Sequence, residues 1–138
     1  MLVTFNLGYL WHLVFFNNMY QSLKSWSRFD DPVASLNIAA VCLQALLVSY
    51  MLPVYLAATG ASGPFAGAGF GLWVAILVLS VAVLEHSAKN RMACWEGFAL
   101  LEGVYCILQY PLSCAFAAFA RERASRVTPS SKKTDKLS

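Results

Sequence analysis

Four apolar stretches, each long enough to cross a bilayer, limit most strongly how this chain can fold. They run over residues 2–20, 33–58, 64–84 and 95–120. A spanning helix needs about 17–25 mostly apolar residues, and buried helices of soluble domains are usually shorter. Of the 138 residues, 59% are hydrophobic and 12% charged. That is about half the charge of an ordinary soluble domain, too little to coat four such segments. Barrel strands need only about 9–11 residues of alternating polarity, and no such alternation is present. The expected fold is all-α: an integral membrane four-helix bundle with short loops and a disordered basic C-terminal tail over residues 121–138.

The first stretch is the most polar of the four. Asn6, His12, Asn17 and Asn18 interrupt it. It has no basic residue ahead of its apolar part and no small-x-small cleavage site, so it reads as a retained span rather than a signal peptide. The four cysteines form no C-x-x-C pair, and three of them fall inside spans. They read as small buried hydrophobes rather than a disulfide framework.

Charge sets the expected orientation. Six of the ten Lys and Arg residues follow Phe119, and the tail supplies the net charge of +3. With four spans, the N-terminus, second loop and tail share one side and carry six basic residues. Lys24, Arg28, Lys89 and Arg91 put four on the other. Positive charge collects on the cytoplasmic side, so both termini are expected in the cytoplasm. The tail reads first as a solvated cytoplasmic segment that orients the protein; a lipid headgroup contact is the alternative for Arg121, Arg123 and Arg126, which leave the last span directly. No folded basic surface exists to carry nucleic acid.

Turn and packing signals divide the spans. The second loop, "ATGASGPFAGAGFG", is uncharged and leads into glycines at 63, 67 and 71. A small residue at every fourth position lets helix backbones approach closely in lipid. Pro53 and Pro111 sit inside spans, where each removes a backbone donor and is expected to kink its helix.

Polar groups inside spans are the candidates for chemistry, since a charged group far from water is expensive and tends to face the bundle interior. They are His12, Gln44, Glu102, Tyr105 and Gln109, with Glu85 and His86 at the end of the third span. His12 and Gln44 lie about 13 Å, and Glu102 about 10 Å, from the side bearing the first and third loops, at 1.5 Å per residue. Convergence of all of these in that half of the bundle is expected. Glu102, Tyr105 and Gln109 recur at i, i+3 and i+7, one helical face. A glutamate and histidine that meet away from water can exchange a proton and act as general acid and base. On that reading Glu102 and His12 are catalytic, and Gln44, Tyr105, Gln109, Glu85 and His86 bind substrate; the alternative is an interhelical hydrogen-bond network that holds the bundle together. No H-x-x-x-H or H-x-x-E-H spacing favours a metal, and neither metal nor other cofactor is expected. Nucleophile-elbow, P-loop and dinucleotide signatures are absent.

The segments "GYLWHLVFFNNMYQSL", "LQALLVSYMLPVYL", "LEHSAKN" and "LLEGVYCILQY" give the chain an order of features that resembles small four-helix bacterial membrane proteins grouped as domains of unknown function. The resemblance covers about residues 5 to 120 and implies membrane location and a four-helix bundle. The small multidrug transporters have a similar length and span count, but they carry their essential glutamate in the first helix. Here that helix carries His12, and the buried glutamate is Glu102 in the fourth.

Three functional classes follow. The first is a small polytopic membrane protein acting by association, as an accessory or assembly component or a homo-oligomer. Its partners would be the lipid bilayer and a second copy or larger membrane complex. The second is a membrane-embedded enzyme acting on a lipophilic small molecule through Glu102 and His12. The third is a proton-coupled transporter.

Overall fold

The computed structural model describes residues 2–23, 34–85 and 94–127, nearly all of them helical, with no strand among them. The first segment is a broken helix. It comprises α1 (Leu2–Tyr9), a π-helical turn at Leu10–Phe15 and α2 (Asn17–Leu23). Phe16 leaves helical geometry, and its N–H donates to the Trp11 carbonyl at 3.0 Å. Tyr20 N–H then picks up the Phe16 carbonyl, also at 3.0 Å, and restarts the helix. The chain continues through α3 (Ala34–Thr59), α4 (Gly63–Val78), a second π-helical stretch at Leu79–Leu84, and α5 (Trp95–Val127).

Three helical runs are long and apolar enough to cross a membrane: Ala39–Thr59, Gly63–Leu84 and Trp95–Arg126. The second, third and fourth expected spans fall on them. The first segment is not among the three, because its break at Phe16 leaves helical runs of 14 residues (the 8 of α1 and the 6 of the π-helical turn) and 7 residues. Pro53 and Pro111 both lie inside continuous helices.

α3 and α4 form a tight hairpin. Gly60 (φ +65°) and Gly63 (φ +83°) take left-handed backbone that a side chain would strain. Thr59 closes the end of α3 by donating to the Tyr55 carbonyl at 2.8 Å and accepting from Ala61 N–H. Pro64 opens α4, where its missing N–H costs no helical bond.

α5 is the axis of the molecule, contacted by every other helix. α4 lies antiparallel against it at backbone distance. A Cβ on Gly67 would sit 2.7 Å from the Cβ of Ala118 and against the Cys114 carbonyl. One on Gly71 would sit 2.6 Å from Cα of Pro111 and against the Tyr110 carbonyl. The glycine repeat and the span proline, two separate features of the sequence, thus meet in one contact. Gly63, the first of the repeat, belongs to the turn instead.

Two apolar clusters result. One joins the first segment to α4 and α5 through Tyr20, Leu23, Ala75, Val83, Phe98 and Leu101. The other joins α3 to the opposite half through Leu52, Phe70, Cys114 and Ala118.

α5 also corrects the expected start of the tail. Residues 121–127 are helical, not disordered. "ARERASRV" consists largely of good helix formers, and Glu122 pairs with Arg126 one turn on. At 33 residues α5 is about 50 Å long. It is longer than a hydrocarbon core of about 30 Å. Residues 128–138, the two loops bearing Lys24, Arg28, Lys89 and Arg91, and His86 lie outside the described residues.

Candidate functional site on the inner face of α5

The i, i+3, i+7 face of α5 points into the protein. Gln109 is 4% exposed, and Tyr105 is buried with it. The first segment covers this face and runs antiparallel to α5. Thr4 Oγ1 and Ser113 Oγ are 3.1 Å apart at one end. At the other, the Tyr20 hydroxyl donates to Glu102 Oε1 at 2.7 Å.

His12 sits between these contacts, inside the π-helical turn. Its Nδ1 is 3.6 Å from Glu102 Oε1, the same oxygen that accepts from Tyr20. The two side chains retain 20% and 13% of their exposure. The imidazole meets the Tyr105 ring edge-on at 4.6 Å between centroids and tilts against Tyr20 at 4.9 Å. Trp11 closes the group, 4.4 Å from Phe16 and 5.8 Å from Tyr105. Gly8 makes room for it, since a Cβ there would be 2.8 Å from the Tyr105 hydroxyl oxygen. One carboxylate oxygen is therefore held by a phenol on one side and faced by an imidazole on the other, within an aromatic wall. At 3.6 Å the imidazole nitrogen is in ion-pair range of the carboxylate but too far for a direct hydrogen bond, while Tyr20 fixes the carboxylate's orientation.

The expected convergence is only partly realised. His12, Glu102 and Tyr105 come together, and Gln109 lies two turns along the same face. Gln44 does not join them. Its Oε1 accepts from the Tyr110 hydroxyl at 3.2 Å, two turns of α5 away from Glu102. The short hairpin packs α3 against the far half of α4 and α5 through Leu52, Phe70, Cys114 and Ala118, which keeps Gln44 away from the level of Glu102. Glu85, expected in the same polar half, is exposed after Leu84. His86 falls outside the described residues.

Tyr20 was missed by the sequence reading, which saw only a residue at a span end. Between His12 and Tyr20 lie the end of the π-helical turn and the break at Phe16, and both side chains reach Glu102 across them. Cys94 is a second missed role: its Sγ accepts from Gly97 N–H at 3.3 Å and caps the start of α5. Among the described residues, no three His, Cys, Asp or Glu side chains gather as a metal site would require.

Compared with family models, curated proteins and solved structures, the chain matches none. The functional reading rests on the geometry of the chain itself.

Proposed function

We propose that this is a four-span protein of the bacterial inner membrane, with both termini cytoplasmic, that acts by association. The antiparallel seating of the first segment on α5 supports the fourth span, because Thr4 lies level with Ser113 and Tyr20 with Glu102. The count of six basic residues against four supports the orientation.

The observation that carries association is the outward face of α3. Leu43, Leu46, Leu47, Tyr50 and Val54 recur three and four apart, and all are exposed. Among the described residues nothing bonds the Tyr50 hydroxyl, which is on a residue 76% exposed well inside the span. A hydroxyl facing lipid loses its hydrogen bonds to water, and a neighbouring helix can replace them. The face fits a second copy or a larger membrane complex.

Cysteine cross-linking tests the reading. In a chain with the native cysteines replaced, Tyr50→Cys is expected to form disulfide-linked dimers on oxidation in the membrane. Trp73→Cys on α4, equally exposed but off this face, is expected to stay monomeric. If neither links and single-molecule photobleaching counts one copy per spot, self-association is wrong.

A second reading has its own observation, the shared carboxylate oxygen between Tyr20 and His12. It supports proton chemistry, either in an enzyme acting on a lipophilic small molecule or in a proton-coupled transporter. Glu102→Gln preserves shape and removes the exchangeable carboxyl. A variant that accumulates normally yet abolishes proton-driven uptake or turnover supports this reading, and one with unaltered cell-level behaviour removes it.

A further inference from the structure

We infer that the membrane-boundary groove between the start of α4 and the last turns of α5 binds the headgroup of an anionic phospholipid. The groove has a volume of about 270 Å³ and is lined by Pro64, Phe119, Glu122, Arg123 and Arg126. That is room for a phosphodiester and a glycerol, and too little for a folded partner.

Its position fixes what can reach it. The α5 sequence is uncharged from residue 103 to residue 120 and then reads "RERASR". A Cβ on Gly63, at the start of α4, would sit 3.5 Å from Glu122 Oε2, so the first turn of α4 is level with the first charged turn of α5. That level is the edge of the apolar layer. Phe65, 91% exposed, and Phe119, also exposed, lie there, where aromatic rings meet headgroups in membrane proteins. A lipid seated here would place its acyl chains along the apolar surface of α4 and α5 and its phosphate among the arginines.

The charges are arranged for an anion. Glu122 is taken up by Arg126 through an ion pair. Arg123 has no carboxylate partner among the described residues; its guanidinium lies over the Phe119 ring, 5.2 Å from the centroid. Stacking of that kind orients the planar fork and leaves its N–H edge to a phosphate oxygen. With one carboxylate already paired, the groove keeps a net positive charge. Zwitterionic headgroups do not complement it; phosphatidylglycerol does.

The test is lipid titration of the purified full chain in neutral detergent, read by native mass spectrometry. Dioleoyl-phosphatidylglycerol is expected to bind at least tenfold more tightly than dioleoyl-phosphatidylcholine. Each arginine near a membrane surface contributes about a fivefold preference for anionic lipid. Arg123→Gln with Arg126→Gln is therefore expected to bring phosphatidylglycerol close to the phosphatidylcholine level, with helical content unchanged. Arg123→Lys, which keeps the charge and loses the fork, is expected to retain part of the preference. Removal of residues 128–138 is expected to leave it intact. Equal binding of the two lipids, or a preference surviving in the double variant, overturns the site. Displacement of phosphatidylglycerol by excess inorganic phosphate would assign a soluble anion and overturn the lipid as occupant.

Discussion

Replacing Gly67 by alanine is the sharpest structural test of how α4 meets α5. The added Cβ would lie 2.7 Å from Ala118 Cβ and 2.9 Å from the Cys114 carbonyl carbon. Ordinary carbon contacts are about 3.5–4.0 Å, so the two helices must part by about 1 Å. The obstacles include backbone of a continuous helix, which cannot rotate aside. A radial gap of that size gives up about a quarter to a half of each contact's attraction, and overpacking of this kind costs about 1–3 kcal/mol. Gly69 supplies the control. It lies on the same helix, two residues on, and a Cβ there meets nothing within 4 Å. Both substitutions gain the same intrinsic helix preference, up to about 1 kcal/mol, so it cancels between them. Gly69→Ala should be neutral or stabilising, and Gly67→Ala should be less stable than Gly69→Ala by about 1–3 kcal/mol. Reversible unfolding in mixed micelles, titrated with a denaturing detergent, measures the difference. Equal midpoints for the two variants would refute close packing of α4 on α5.

Other outcomes follow from the inner face of α5. Glu102→Ala leaves the Tyr20 hydroxyl without its acceptor, and should cost about 1–3 kcal/mol, read as a lower melting temperature in detergent; Glu102→Gln, which can still accept from Tyr20, should lose less. Tyr20→Phe should destabilise by about 1.5–3 kcal/mol if Glu102 is ionised and by about 1 kcal/mol if it is neutral, so its size reports the carboxyl's charge in the membrane. Gly8→Leu should loosen the first segment from α5, because the Tyr105 hydroxyl already occupies the space, and limited proteolysis should then cut before residue 23 sooner than in the wild type. The Gln44–Tyr110 bond should contribute only about 0.6 kcal/mol in a double-mutant cycle of Gln44→Leu and Tyr110→Phe.

Long apolar helices were legible because lipid leaves the chain few alternatives. α3, the α4 run to Leu84 and α5 each declare themselves by length and by absence of charge. The inward turn of Glu102, Tyr105 and Gln109 was legible from spacing alone, since residues at i, i+3 and i+7 must share a face. The use of Gly67 and Gly71 as a packing surface was legible for the same reason. Three features were not. Helical periodicity assumes a uniform helix, so the π-helical turn and the break at Phe16 that lie between His12 and Tyr20 leave no trace in it. Depth counted from span ends misplaces Gln44, which meets Tyr110 two turns of α5 away from the Glu102 that His12 faces. The continuation of α5 through Val127 was hidden by charge, because "RERASR" is as polar as a solvated tail while its residues also favour a helix.

The central claim is that the first segment is a fourth traverse, seated antiparallel on α5 so that the chain begins and ends on one side. Reporter fusions at residue 1 and after residue 138, one active only in the cytoplasm and one only outside it, test this directly. Both ends should report the cytoplasm. Opposite sides for the two ends would leave three spans and contradict the seating of Thr4 beside Ser113 and of Tyr20 beside Glu102.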